Sequence, residues 1–575
     1  MEKKIAVEES ILKLSMRKKG GFITIPFIIA NEAFEKVSSY GVIQNMIFYL
    51  MKNYGIGVAK GANILFLWSA ATNFMPVVGA FIADSFLGRF LTIFLGCIAS
   101  LLGSTLLWLT AMIPKARPPP CDFRLKNCKG ASPGQLTMLL SSFALMSIGA
   151  GGIRPCSLAF GADQLDDKIN PNNERVLESF FGWYYAAASA AVLVAFTGIV
   201  YIQDHMGWKI GFAVPAIFIF LAALLFLIAS PFYLKQKSCK NLTTGLFQVP
   251  VAAFRSRKFP VPNQSDFFYA RKHSNQTRPS NRLRFLNKAC VIRNEEEEIA
   301  SDGSAKNPWK LCTVNQVEEL KSLIRVIPIW SSCIMLSINT SQNTFPALQA
   351  SSMDRHLTSS FKIPAASYGM FTIISLGLWV ILYDRAILPV ASRIRGKPVQ
   401  IGVKLRIGAG LLISFLAMVV SGAVENIRRR RAISEGYLNN PVAVVNMSAM
   451  WLIPQYCLHG LAEALNAIGQ TEFYYSEFPK SMSSIAACLT GLGMAVANLL
   501  ASVIVHFVDK TTSSGGKESW VSDNINKGRY DSYYWLLSVM SLINLPFFLV
   551  CSWFYGPCKQ QGGSHLDEDN ELNES

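Results

Sequence analysis

The sequence predicts an all-α membrane protein, with twelve transmembrane helices arranged as two six-helix bundles. Three observations predict it. Of 575 residues, 51% are hydrophobic and only 16% charged, whereas a soluble globular chain carries about 25% charged residues. Mostly apolar runs of about 20 residues, the length that crosses a bilayer, recur twelve times. A long basic polar stretch divides the twelve into six and six.

The first set covers about 22–50, 62–86, 90–113, 135–160, 178–203 and 208–234. The second covers about 320–345, 363–388, 401–424, 441–469, 482–508 and 531–556. The domain boundaries that follow are a cytoplasmic N-terminus at 1–20, a bundle at 21–234, a cytoplasmic linker at 235–318, a second bundle at 319–556 and a cytoplasmic tail at 557–575. The first 20 residues are polar and basic, and the first apolar run is too long and too charged for a cleavable signal. An even number of spans then returns both termini to the cytosol. The linker holds Arg255, Arg257, Lys258, Arg271, Lys272, Arg282 and Arg284, as the positive-inside rule prefers. Two groups are less tidy: Lys115 to Lys129 and Arg428 to Arg431 are expected in outer loops. Cys121 and Cys128 share the first of these, as a disulfide or as two free thiols.

Composition also excludes classes. The net charge of +17 would suit a nucleic-acid binder, but apolar runs interrupt it throughout, and cytoplasmic loops facing anionic lipid account for it. Twelve cysteines and six histidines form no paired CxxC or metal-ligand spacing. No nucleophile motif or phosphate-binding glycine loop stands out, so no metal, no cofactor and no enzyme is expected.

The informative residues are charges inside apolar spans. Each costs about 2.5–3.5 kcal/mol at the bilayer centre on insertion scales. In the first span Glu32, Glu35 and Lys36 share one helix face. Two carboxylates so close in a low-dielectric site cannot both ionise cheaply, which is what a proton carrier needs. A static ion triad would explain the pairing but not its place in the membrane. Arg154 sits at a Gly/Pro-rich bend, Gly149 to Pro155, and Glu463 is the intramembrane carboxylate of the second half. A cross-bundle Arg154–Glu463 pair is expected to close one side of a central cavity. Tyr40, Trp183, Tyr184, Asn339, Thr340, Asn466 and Gln470 are expected to line the rest, although any single aromatic there also suits packing. Asp84 with Arg89, and Asp384 with Arg385, follow the second and eighth spans and are read as matching helix latches, with interfacial anchoring as the alternative. Thr92, three residues after Arg89, is a candidate site for a basic-directed kinase.

Several motifs resemble one family. Glu32-x-x-Glu35-Lys36, the run from Gly79 to Phe90, and Phe180-Phe181-Gly182-Trp183-Tyr184-Tyr185 are similar to signatures of the proton-dependent oligopeptide transporters, and most of all their plant nitrate/peptide branch. The likeness runs over about 20–556 and implies a major facilitator fold, alternating access and proton symport. It implies proton coupling at Glu32, Glu35 and Lys36, and pairing of Arg154 with Glu463 across the cavity. Thr340 stands where some nitrate-carrying relatives have a histidine, so nitrate would need Lys36 or Arg154. The resemblance favours low-affinity nitrate uptake across the plasma membrane. Plant hormones, other organic acids and di- or tripeptides remain open, as does a nitrate-sensing or scaffold role.

Overall fold

A computed structural model of the chain describes residues 20–119, 130–166, 171–235, 243–259, 268–269, 278–300, 303–396, 401–479 and 482–558. Cys121, Cys128, Arg124, Lys126, Lys129 and the tail from 559 lie outside the described residues.

The N-terminal half comprises α1 (Ile25–Gln44), α2 (Met46–Tyr54), α3 (Val58–Ile82), α4 (Arg89–Met112), α5 (Pro133–Leu165), α6 (Asn173–Val194) and α7 (Val200–Ile228). The linker forms α8 (Thr243–Arg255) and the short α9 (Glu295–Glu298). The C-terminal half comprises α10 (Val314–Thr340), α11 (Thr344–Ser351), α12 (Met370–Leu382), α13 (Leu388–Arg395), α14 (Val403–Ser434), α15 (Ile453–Glu477), α16 (Ser483–Thr512) and α17 (Tyr530–Tyr555). Two short strands, β1 (Met353–Asp354) and β2 (Val445–Ser448), pair in parallel.

By length and composition, nine helical stretches among the described residues can cross a membrane. One of them, Asn173–Ile228, is 56 residues long, and Gly207 at φ 77° breaks it near its middle. Neither α1 nor α15, with their internal charges, is among the nine.

Three boundaries depart from the hydropathy reading. The first span breaks at Asn45, between α1 and α2. The span expected at 441–469 starts with β2, passes through a 3-10 turn at Ala449–Leu452 and becomes α-helical only at Ile453. The span expected to end at 424 continues to Ser434, so Arg428 to Arg431 are helical and not a loop. The charges that end the apolar run are satisfied inside the protein. Arg428 and Glu425 are both fully buried and pair through two contacts of 2.7 and 2.8 Å. Arg428 also donates to Asn526 Oδ1 at 2.7 Å and to the Ile525 carbonyl at 3.0 Å.

Close glycine contacts set the helix packing in the N-terminal half. A Cβ on Gly79 of α3 would sit 1.8 Å from the Gly151 carbonyl of α5. On the other side of α5, a Cβ on Gly152 would meet the Thr92 carbonyl of α4 at 2.7 Å. The approach wedges α5 between α3 and α4 and carries Arg154 toward α1.

The hydrophobic core is continuous at one end and split at the other. Away from the linker, one cluster joins Tyr49, Leu65, Phe143 and Phe212 of the first half to Phe345, Val505, Tyr533 and Leu537 of the second. Toward the linker, two separate clusters serve the halves, one around Ile28, Phe160 and Phe226, the other around Ile329, Phe473 and Tyr555. Polar contacts between halves repeat this asymmetry. Asp523 accepts from the Val58 amide at 2.6 Å, Ser502 donates to Asn63 at 2.9 Å, and Arg355 lies 4.0 Å from Asp204. All three sit at the end opposite the linker. Asp523 thus caps the first turn of α3 from the other half, satisfying an amide that the helix cannot.

Two stability tests follow. Gly79→Ala should lower the thermal midpoint by forcing α3 and α5 apart, at an overpacking cost of about 1–3 kcal/mol; an unchanged melt in detergent contradicts the close approach. Arg428→Leu should destabilise by about 3–5 kcal/mol by leaving Glu425 buried and unpaired. The double change Glu425→Leu with Arg428→Leu should be milder than the single one, read by the same melt.

Candidate functional site

The site lies where the two halves face each other, in a cavity of about 380 Å³. Its N-terminal wall is built from α1 and α5. Glu32, Glu35 and Lys36 fall on successive turns of α1, with Glu32 and Glu35 buried. Lys36 Nζ lies 3.5 Å from Glu32 Oε1. Glu35 Oε1 accepts from Arg154 Nε at 3.1 Å, from Arg154 Nη2 at 3.0 Å and from Ser39 Oγ at 2.7 Å. Tyr40 lies between the two cations, with Lys36 Nζ 5.6 Å and the Arg154 guanidinium carbon 5.8 Å from its ring centre. Lys36, Tyr40 and Arg154 line the cavity. Of each glutamate, Oε1 is engaged, while Oε2 is buried without a hydrogen-bond partner. Each carboxylate therefore keeps one oxygen free to take a proton.

The facing wall belongs to α10 and α15. Asn339, Thr340 and Glu463 line the same cavity. The expected Arg154–Glu463 pair is not formed, because Glu35 holds Arg154 within its own half. Among the described residues Glu463 makes no ion pair within 4.0 Å.

Four residues expected in the cavity lie elsewhere. Trp183 is 71% exposed and faces outward. Tyr184 is buried behind the cavity wall, packed on Phe180 and Leu165 with its hydroxyl beside Glu32. Asn466 packs on α14, where Gly410 lets it approach. Gln470 is buried and accepts from Tyr474 at 2.6 Å. Within the Phe180–Tyr185 run the residue that lines the cavity is Tyr185; a run of six consecutive motif residues does not reveal which point inward. Ser39, Gln455, Tyr456 and His459 also line it without having been singled out. For Gln455 and His459 a signal existed: with Glu463 they form a polar series at i, i+4 and i+8 on an apolar helix.

The expected Asp84–Arg89 pair is present at the edge of ion-pair distance, and each half has a closer latch. Arg89 stands 3.9 Å from Asp84 but bonds Asp163 of α5 at 2.5 Å. In the second half Arg385 and Arg393 are exposed, and the Asp384 side chain lies outside the described residues. The matching contact is made by Arg406, which bonds Glu472 at 2.6 Å and the Tyr383 hydroxyl at 2.6 Å. Arg89–Asp163 joins the start of α4 to the end of α5. Arg406–Glu472 joins the start of α14 to the end of α15. The internal repeat is thus borne by α4/α5 and α14/α15. Thr92 is buried and donates its hydroxyl to the Gly88 carbonyl at 2.9 Å. In this conformation the hydroxyl of the candidate phosphosite is therefore not presented at the surface.

Comparison with known proteins agrees with this geometry. The POT family profile, PTR2, matches residues 90–521. "Protein NRT1/ PTR FAMILY 1.2" of Arabidopsis thaliana is 64% identical over 553 residues, covering 95% of this chain and 91% of that protein. "Protein NRT1/ PTR FAMILY 1.1" from the same plant is 62% identical over 551 residues, covering 95% and 93%. In structure, the chain resembles an auto-inhibited POT family peptide transporter with a TM-score of 0.69 at 18% identity, covering 94% of this chain and 99% of that one. It resembles the POT family transporter PepTSo with a TM-score of 0.67 at 17% identity, covering 92% and 98%. A cavity between two helical halves, charged side chains buried within it, and these matches agree: the chain belongs to the POT family of multi-pass membrane transporters and is not an enzyme.

Proposed function

We propose that the protein is a proton-coupled symporter of a small anionic solute working by alternating access, with low-affinity nitrate uptake favoured by the subfamily resemblance. The observation that carries the reading is the buried Glu35–Arg154 pair beside the Glu32–Lys36 pair, with one free carboxylate oxygen in each glutamate. We read the fold as twelve spans in the major facilitator arrangement. The nine apolar stretches become twelve when the one bent at Gly207 is divided and α1 and α15 are added. The basic linker and both termini are assigned to the cytosol, and the plasma membrane is the assigned address. The coupling ion is the proton, and no cofactor takes part.

Each step follows from one residue. With the cavity open away from the linker, a proton reaches the glutamate cluster. Protonated Glu35 loses most of its Coulombic attraction for Arg154. The guanidinium then has to find another anion in a low-dielectric cavity, and a solute anion supplies it. Glu463 is the competing partner from the other half, so solute binding and cross-bundle pairing bias the same two-state element. The inward state is the one whose core splits toward the linker. Moving one charge across 100 mV is worth about 2.3 kcal/mol. Two protons per nitrate would therefore let the membrane potential drive uptake.

A second reading, an organic acid or short peptide, is favoured by the cavity itself. At about 380 Å³ it has the size of a site for a larger organic ligand, well beyond what a bare nitrate fills.

Two outcomes test the coupling. Glu35→Gln should abolish acid-stimulated uptake in oocytes or proteoliposomes, and an unchanged pH response would remove Glu35 from proton transfer. Arg154→Ala should lower anion uptake at least about tenfold, the loss of a charge-assisted contact, with the protein still reaching the membrane. Wild-type kinetics in that variant would place solute recognition elsewhere. Labelled nitrate, dipeptides and hormones, offered at acidic and neutral pH, identify the solute class.

A further inference from the structure

Thr92 hides its hydroxyl, whereas the linker presents a serine. Ser280 is exposed, and so are its neighbours Arg278, Asn281, Arg282 and Arg284. Residues 278–281 form neither helix nor strand. The serine thus sits in irregular surface chain, with an arginine two residues before it and arginines two and four residues after it.

The same serine clasps the linker to the start of α10. Its amide donates to Glu318 Oε1 at 2.9 Å, and its hydroxyl reaches both oxygens of that carboxylate, at 3.1 and 2.9 Å. Its carbonyl accepts from Lys321 Nζ at 2.8 Å and from Asn287 Nδ2 at 3.0 Å. Lys321 Nζ also lies 2.7 Å from Glu318 Oε1 and 3.2 Å from the Ser280 hydroxyl. The Glu318 and Lys321 side chains are 17% and 5% exposed, so this carboxylate and its ammonium partner are largely withdrawn from solvent. Toward Glu318 the serine hydroxyl can act only as a donor, because an ionised carboxylate only accepts. Beneath the clasp the linker packs on α10 through Val249, Leu286, Val317 and Leu320.

Resting on the assignment of the linker to the cytosol, we infer that Ser280 is a phosphorylation site for a kinase that reads flanking arginines, and that its phosphate unclasps the linker from α10. In the kinase the hydroxyl exchanges Glu318 for the enzyme's own carboxylate base, which takes the proton. The Oγ–P bond forms as the bond from the γ-phosphorus of ATP to its bridging oxygen breaks, and ADP leaves. The product carries about −1.5 to −2 charges and presents acceptor oxygens. The hydroxyl donor that held Glu318 is gone, and two anions face each other across what was a hydrogen bond. The single Lys321 ammonium does not offset both. Arg278, Arg282 and Arg284 belong to the serine's own segment, so they offer the phosphate partners that travel with it away from α10. The apolar packing beneath is untouched, which confines the release to the edge of the linker.

The test uses the full-length protein in nanodiscs, the catalytic domain of protein kinase C and magnesium ATP, with the phosphate located by mass spectrometry. Ser280 should take up phosphate, and changing Arg278→Gln with Arg282→Gln should slow uptake at least about tenfold, the loss of charge-assisted contacts to the kinase. An unlabelled Ser280, or a rate indifferent to these arginines, overturns the site. Amide hydrogen exchange over residues 280–287 reads the clasp. Phosphorylation should speed it at least about thirtyfold, whereas Ser280→Ala, which removes the hydroxyl without adding charge, should speed it no more than about fivefold. In Glu318→Gln, shown to be folded by its melt, phosphate should add less than about fivefold over the same variant unphosphorylated, because the opposing anion is gone. Equal exchange with and without phosphate, or full acceleration in Glu318→Gln, overturns the unclasping. Nanodiscs expose both faces, so neither result turns on topology. Cleavage of the linker by a protease added outside intact oocytes overturns the cytosolic assignment and this inference together; a protected linker with an unlabelled Ser280 removes the inference alone.

Discussion

The arrangement rests on one electrostatic requirement: an ionised group held away from water must have a partner. Arg154 is the test of it. The helix that carries it is threaded between two others by backbone-to-backbone approach at Gly151 and Gly152, and this places the guanidinium where Glu35 waits on α1. Neither charge is stable there alone. A protonation that removes one partner obliges the other to find a substitute. In the proposed cycle a solute anion and Glu463, which lines the same cavity, are the substitutes. On that proposal, coupling needs desolvation alone and no further device.

The rest of the molecule supports a change of partners without loss of fold. The core is shared by both halves only at the end away from the linker. At the other end each half keeps its own apolar cluster and its own ionic clasp, Arg89–Asp163 or Arg406–Glu472. Each half can then move as a packed unit, and the surface between them is where contacts are exchanged. The clasps link neighbouring helices inside a half, so they stiffen the moving body and do not resist its motion.

Much of this was legible in the sequence because membrane insertion makes charges conspicuous. Glu32, Glu35, Lys36, Arg154 and Glu463 stood out against apolar surroundings, and the order of spans followed from run length. What was not legible depended on partners distant in sequence. Arg154 had two carboxylates within conceivable reach, and only the packing of α5 against α1 selects Glu35. Arg428 ended an apolar run and so resembled a loop, although Glu425 and Asn526 make it a buried helical residue. Among adjacent aromatics, helix phase decides that Tyr185 lines the cavity while Trp183 faces outward. A motif match does not carry that phase.

The buried Arg428–Glu425 pair also decides which half owns the segment between α16 and α17. Arg428 grips Ile525 and Asn526, Arg429 donates to Gly528 at 2.8 Å, and Asn526 reaches the Tyr437 and Asn440 carbonyls. Toward the first half the same segment offers the Asp523 cap on Val58. Val521 and Ile525 of the segment also belong to the apolar cluster shared with the first half, but Asp523 is its polar tie to α3. In the proposed alternating-access cycle, opening of that end breaks this tie and the apolar seam while the polar anchor holds, so the segment travels as a lid riveted to the C-terminal body and leaves α3 with a bare amide terminus facing the newly opened vestibule.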